Sequence, residues 1–141
     1  MLKGINKLLS PELLKVLAEM GHGDEIVIAD GNFPAENYGK RVIRADGHGG
    51  VEMLDAILSV IPLDTYAKEN FVLMQVVPGD PVKPEIWNEY RRVASGTDPN
   101  VKEGQLERFA FYERAKGAYA IVATGEGAIY ANIILKKGVI Q

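Results

Sequence analysis

Apolar residues in this chain follow two rhythms, one recurring every third or fourth position and one of short unbroken runs, and the two alternate along its length. Ser10, Pro11 and Glu12 read as a helix start: a side-chain oxygen to cap, a proline where no N–H is needed, and an acid at the positive end of the dipole. Leu13, Leu14, Leu17 and Met20 then recur at helical spacing, and Gly21 is placed to end the helix in a left-handed turn. "EIVIA" (25–29) predicts a buried strand, "GNFPAENYG" (31–39) a loop, and "RVIRA" (41–45) a second strand. "VEMLDAILSVI" (51–61) predicts a helix that Pro62 stops. "FVLMQVV" (71–77), the most uniformly apolar run, predicts a third and central strand. "PGDPVKP" breaks the chain before an amphipathic helix, "EIWNEYRRVAS" (85–95), and "GTDPN" is the next loop. "FYERAKGA" (111–118) predicts a short helix. "YAIVAT" (119–124) and "YANIIL" (130–135) close the chain as two strands that can pair antiparallel. Helices alternating with strands predict one α/β domain over 1–141, with a mixed sheet between helical layers.

Composition removes function classes rather than adding them. The 141 residues are enough for one domain with a real core, and 47% apolar with 25% charged residues is ordinary for a globular chain. A net charge of −3 gives no footprint for nucleic acid or an anionic membrane. No run approaches the roughly 20 apolar residues of a membrane span, and the N-terminus lacks the apolar core of a signal peptide. A cytoplasmic location is the expectation. Without cysteine there is no disulfide framework and no thiolate nucleophile. Two histidines without a paired-carboxylate motif argue against a catalytic metal. "DGHGG" (46–50) lacks the flanks of a phosphate-binding loop, and no G-x-S-x-G elbow is present. What remains is chemistry that histidine, carboxylate, tyrosine and arginine perform without a cofactor.

Four places carry that chemistry. His22 lies between Gly21 and Gly23, after a helix and before a strand. An imidazole titrates at about 6.5, so it gives and takes a proton near neutrality; as a plain helix terminator it would complement the dipole instead. Asp30 ends a buried strand, where ligands settle in open α/β sheets; its structural alternative is a turn bonding the backbone of Gly31 or Asn32. Tyr130 and Asn132 share one face if "YANIIL" is extended throughout, and together offer a hydroxyl, an amide and an aromatic body suited to a polyhydroxylated ligand. "ERFAFYERA" (107–115) combines Arg108 with aromatic residues able to stack on a sugar ring; it is equally a packed element with a salt-bridged surface.

Together, "LLSPELLKVLAEMGHGDEIVIAD", "VIRADG", "RFAFYERA" and "YANIILKKGV" closely resemble the L-fucose mutarotases over nearly the whole chain. They resemble more loosely the sister D-ribose pyranases, which share G-H-x-D and the Y-A-N-I-I-L ending but lack the arginine-aromatic stretch. The resemblance implies an α/β/α fold, a ring of identical subunits, and interconversion of the anomers of a free monosaccharide without cofactor or metal. It implies His22 as proton donor and Asp30, Arg108, Tyr130 and Asn132 as sugar contacts, with the backbone at Ala131 between the last two. Asp30 is the second acid–base candidate. A D-ribose pyranase and a non-catalytic sugar-binding accessory protein of uptake are the alternatives. One conflict is already visible: if residues 24–30 are extended at about 3.3 Å per residue, His22 and Asp30 stand roughly 20 Å or more apart. Either the chain curls back around Gly23, or His22 and Asp30 of different subunits share one pocket; the second is the expectation, because the resemblance implies a ring of subunits and the chain is short.

Overall fold

The computed structural model describes residues 1–141. Its first helix, α1 (Pro11–Glu19), starts as predicted: the Ser10 hydroxyl accepts from the Leu13 N–H at 3.2 Å. The end differs. Met20 is already extended, and the left-handed residue is Gly23, with φ +86° rather than Gly21. Lys137 takes over the capping, its ammonium donating to the carbonyls of Leu17 and Met20. The chain continues through β1 (Glu25–Ala29), α2 (Ala35–Tyr38), β2 (Val42–Ala45), α3 (Gly50–Leu58), β3 (Phe71–Met74), α4 (Ile86–Thr97), β4 (Glu103–Leu106), α5 (Arg108–Gly117), β5 (Ala120–Thr124) and β6 (Ile133–Lys136).

The sheet order is β2-β5-β1-β6-β3-β4, with β6 antiparallel to both neighbours and every other pairing parallel. The sheet is mixed as expected, but the last two strands do not form a hairpin. β1 lies between them, paired to β5 through Ile28↔Val122 and to β6 through Ile28↔Ile133. Residues 125–132 make this possible by stepping across the end of β1. Gly125 turns this crossing directly against the Asp46 carbonyl, where a methyl group would not fit. β1 and β6 occupy the centre, and β3 sits next to the edge strand β4 rather than in the middle.

Alternation along β1 builds the two cores. Ile26 and Ile28 face α1, α3 and α4 together with Leu13, Leu54, Trp87 and Tyr90. Val27 and Ala29 face the opposite layer, where Phe33, Ala35, Phe111 and Ala115 of the α2 and α5 side pack. Each fully buried aliphatic side chain contributes about 1.5–3 kcal/mol. The sheet is therefore covered on both faces, giving the three α/β/α layers. Arg114 fastens α5 to the start of β1 by a two-pronged bond to Glu25, with its Nε 3.1 Å from Oε1. That pairing leaves Arg108, at the other end of the same helix, over the carboxyl end of β1.

Candidate active site

A cavity of about 310 Å³ opens at the carboxyl ends of β1 and β3, where the antiparallel β6 begins. Asp30, Asn32, Asp80, Arg108, Tyr130 and Asn132 supply its polar groups, and Phe33, Met74, Val77, Tyr112 and Ile129 its apolar and aromatic ones. The predicted residues Asp30, Arg108, Tyr130 and Asn132 thus line one cavity. Asp30 is 6% exposed and makes the turn foreseen as its structural alternative, Oδ1 accepting from the Asn32 N–H at 2.9 Å. The two readings coexist in one residue. The Asp30 N–H donates to Asn132 Oδ1 at 2.8 Å, and the Asn132 side chain also helps to stabilise the Asp30 carboxylate. Ala131 is not among the lining residues; its N–H donates to Asp30 Oδ2 and its carbonyl accepts from the buried Tyr90 hydroxyl. Its backbone supports Asp30 from behind.

Tyr130 and Asn132 reach the cavity by a different route from strand alternation, because β6 starts only at Ile133. Tyr130 adopts φ +57°, a left-handed conformation that a bulky residue holds only when its surroundings over-determine it, at a cost of about 1–3 kcal/mol. Two bonds provide that hold. The Tyr130 hydroxyl donates to Asp80 Oδ2 at 2.7 Å, and its carbonyl accepts from the Trp87 indole at 2.7 Å. Asp80 and Trp87 come from "PGDPVKP" and the following helix, which carried no functional signal in sequence. Arg108 opens α5 behind Glu107, whose carboxylate accepts from the N–H groups of Phe109 and Ala110. One turn further, the Tyr112 hydroxyl accepts from Arg108 Nε at 3.2 Å and holds the guanidinium at the cavity edge.

The two carboxylates are biased in opposite directions. Burial pushes the Asp30 carboxyl above its ordinary value, against the backbone bonds from Asn32, Ala131 and Phe33. The Tyr130 hydroxyl holds Asp80 below its ordinary value. Burial dominates at the first carboxyl and a hydrogen bond from a hydroxyl at the second.

His22 does not reach this cavity. It precedes β1 at the opposite end of the sheet, half-exposed, with Nε2 3.0 Å from Asp64 Oδ1 and its ring 5.3 Å from that of Tyr66. Asp64 follows Pro62 and Leu63 in a stretch without local signal; only the tertiary fold brings it to His22. The second histidine, His48, stands in the turn before α3 with its Nδ1 3.2 Å from Glu52 Oε1, away from the cavity's lining residues. No three His, Cys, Asp or Glu side chains gather to hold a metal ion, and no helix is long and apolar enough to cross a membrane.

The model of the RbsD / FucU transport protein family matches residues 3–140. This chain belongs to that family. An L-fucose mutarotase of Actinobacillus pleuropneumoniae (serotype 5b, strain L20) is 51% identical over 142 residues, covering 99% of this chain and 97% of that protein. FucU from Bifidobacterium longum superposes with a TM-score of 0.95 at 58% identity, over 99% of this chain and 100% of that one. The fucose mutarotase of Streptococcus pneumoniae, solved in complex with L-fucose, gives 0.94 at 53% identity with the same coverage. RbsD of Bacillus subtilis, complexed with D-ribose, gives 0.76 at 25% identity over the whole of both chains. Within the RbsD/FucU family the chain is therefore much more similar to these FucU-type members than to that RbsD. The mixed sheet with helices on both faces is the fold of these structures.

Proposed function

We propose that this chain is an L-fucose mutarotase, an isomerase that interconverts the α and β anomers of the free sugar in the cytoplasm. The observation that carries the reading is the cavity itself: a raised carboxyl, an arginine, an amide and a tyrosine hydroxyl around an apolar floor. The Actinobacillus mutarotase and the L-fucose bound to the Streptococcus protein supply the sugar. Asp30 removes the proton from the anomeric hydroxyl while a general acid protonates the ring oxygen. The C1–O5 bond breaks, the aldehyde end rotates, and reversal of the same two transfers closes the ring on the other face. Positioned acid–base transfer of this kind contributes about 10²–10⁴-fold. Arg108 and the Asn132 amide hold hydroxyls, and the ring of Tyr130 orients the sugar, with the backbone at Ala131 as support.

His22 is the acid, and it comes from a neighbouring copy. Within one subunit it lies at the wrong end of the sheet, so the cavity has a carboxylate but no imidazole. The surfaces that would meet are apolar and exposed. The exposed Tyr66 ring lies beside His22, and the exposed Ile129 lines the cavity with Phe109 next to its Arg108. Such a head-to-tail contact joins two different faces, and closes into a ring when its rotation divides a full turn. Saturation-transfer NMR on L-fucose and D-ribose tests the reading. Faster anomer exchange of fucose, lost in His22→Ala with the fold intact, is the expected result. Preferential acceleration of ribose ring interconversion would make the protein a pyranase. Binding without acceleration of either sugar would make it an accessory protein.

A further inference from the structure

We propose that Asp80 is a positioning residue for the sugar: by accepting the Tyr130 hydroxyl, it makes Tyr130 present its ring rather than its O–H to the bound hexose. This rests on the mutarotase reading for its substrate, though not for the tether itself. Tyr130 stands at φ +57° in the loop before β6, and both residues line the cavity. A phenol has one hydrogen to donate, and it goes to Asp80 Oδ2 at 2.7 Å. The bonds from Tyr130 and from the Val82 N–H hold the Asp80 carboxyl below its ordinary value, so it stays ionised and has no hydrogen to return. The phenol oxygen also accepts from the Val77 N–H at 3.4 Å. Asp80 in turn pushes the Tyr130 hydroxyl above its ordinary value, so that it keeps its proton. Tyr130 is thereby removed as a candidate general acid, and what it offers a sugar is the apolar face of its ring.

The carboxylate is built into a stiff turn. Val77, Pro78, Gly79 and Asp80 close on themselves through the Asp80 N–H, which donates to the Val77 carbonyl at 3.0 Å. A proline in second place and a left-handed glycine in third, at φ +92°, are what a type II turn requires. Both ends of this turn grip the same hydroxyl, one with the Val77 N–H and the other with the carboxylate. Asp80 Oδ1 accepts from the Val82 N–H at 3.0 Å, across Pro81, which fixes the second oxygen. Pro78, Pro81 and Pro84 restrict the backbone around it before any sugar arrives. A few residues on, α4 grips the tyrosine by its backbone, the Trp87 indole donating to the Tyr130 carbonyl at 2.7 Å. Residues 77–87 thus hold the left-handed tyrosine by hydroxyl and carbonyl together.

The test uses the full-length protein. In Asp80→Ala the half-saturating fucose concentration should rise about 10-fold with the saturated exchange rate unchanged, because orientation is lost equally from the bound sugar and the transition state. Tyr130→Phe should do the same. The double variant should be no worse than either single one, since both substitutions cut one tether. Asp80→Asn keeps one acceptor oxygen; it should lie between wild type and Asp80→Ala, and carries the test by itself should the alanine variant not fold. A second reading needs no sugar. Trp87 is the chain's one tryptophan, so its indole N–H gives a single resonance in ¹⁵N spectra. Loss of the Asp80 tether should shift that resonance and speed its exchange with water. A folded Asp80→Ala protein with an unchanged half-saturating concentration would overturn the proposal, as would an unmoved indole resonance. Effects that multiply to about 100-fold in the double variant would overturn it too, making Asp80 a direct sugar contact. So would a collapse of the saturated rate in Tyr130→Phe, which would make the hydroxyl the acid. A wild-type protein that accelerates no sugar would overturn the mutarotase reading, and the indole measurement would still decide the tether.

Discussion

If each site takes Asp30 from one copy and His22 from the next, two inactive variants should repair each other. From His22 to Asp30 the chain runs through β1, and at about 3.3 Å per extended residue the two stand roughly 25 Å apart, several times the width of a sugar ring. His22→Ala removes a half-exposed side chain and costs no core. Asp30→Asn keeps the acceptor for the Asn32 N–H and so preserves the turn. Each variant alone should show only background exchange. Unfolded together in equal amounts and refolded, the copies mix at random. An intact pair then needs the right copy on each side of the contact, a chance of one half twice over, so the mixture should recover about a quarter of wild-type exchange. A second arm fixes the sign. Wild-type chains mixed equally with a chain carrying both substitutions should also fall to about a quarter if sites are shared, but only to about a half if each chain works alone. Saturation-transfer NMR on L-fucose reads all four samples. Recovery no greater than the sum of the separately refolded variants, with dilution to one half, would refute the shared site.

Three further outcomes follow from the same geometry. Burial raises the Asp30 carboxyl, so the native state binds this proton more tightly than the unfolded chain does, and stability falls as pH rises from the ordinary carboxylate range through the raised value. Asp30→Asn should therefore melt above wild type at pH 7 and match it at about pH 3; a gap independent of pH would refute this. Tyr130→Phe removes a hydroxyl bond to an ionised carboxylate, worth about 1.5–3 kcal/mol, and loosens the left-handed tyrosine. The half-saturating fucose concentration should rise about 10-fold and the Asp80 titration, followed by ¹³C NMR, should move up, whereas no change in either would free Tyr130 from its role. Phe111 is fully buried and stands edge-on to Phe33 of the cavity wall, so Phe111→Ala should cost about 3–5 kcal/mol in urea unfolding; a loss below about 1 kcal/mol would show a wall that collapses to fill the space.

Elements with a strong period were legible in sequence, and elements defined by a neighbour were not. Leu13 and Leu17 mark α1, and the apolar runs 25–29, 71–74 and 120–124 mark strands buried on both faces. β4, "EGQL", is an edge strand whose side chains are alternately exposed and partly covered. It contains glycine and no β-branched residue, and exists because β3 offers it a ladder. α2 spans only Ala35–Tyr38, too short to show a period inside its loop. The final hairpin failed for a related reason: adjacency in sequence favours pairing, but β5 is buried throughout and satisfies both edges by running parallel to β1 and β2. Asp30 and Arg108 could be found because each sits at an element's end. Asp80 and Asp64 could not, since their partners lie 50 and 42 residues away in the chain.

One strand explains why Asp30 and His22 are both firmly held and far apart. β6 alone runs against the sheet, so its first residue follows Asn132 beside Asp30, and its last residue Lys136, with Lys137 after it, holds the turns of Asp64 and His22. A parallel strand in the same slot would enter at the His22 end and bring no loop to the carboxyl end of β1. Reversal places the strained Tyr130–Asn132 segment over Asp30 and fixes the imidazole at the far end of the same strand. Ile133, Ile134 and Leu135 between them are fully buried, so the sheet cannot fold back to close the distance without exposing its central core. A sugar that meets both Asp30 and His22 must therefore do so between copies. The loss of assembly, by a charge placed at Tyr66 or Ile129, should then abolish exchange while leaving each subunit folded, which sedimentation and circular dichroism on the same samples would decide.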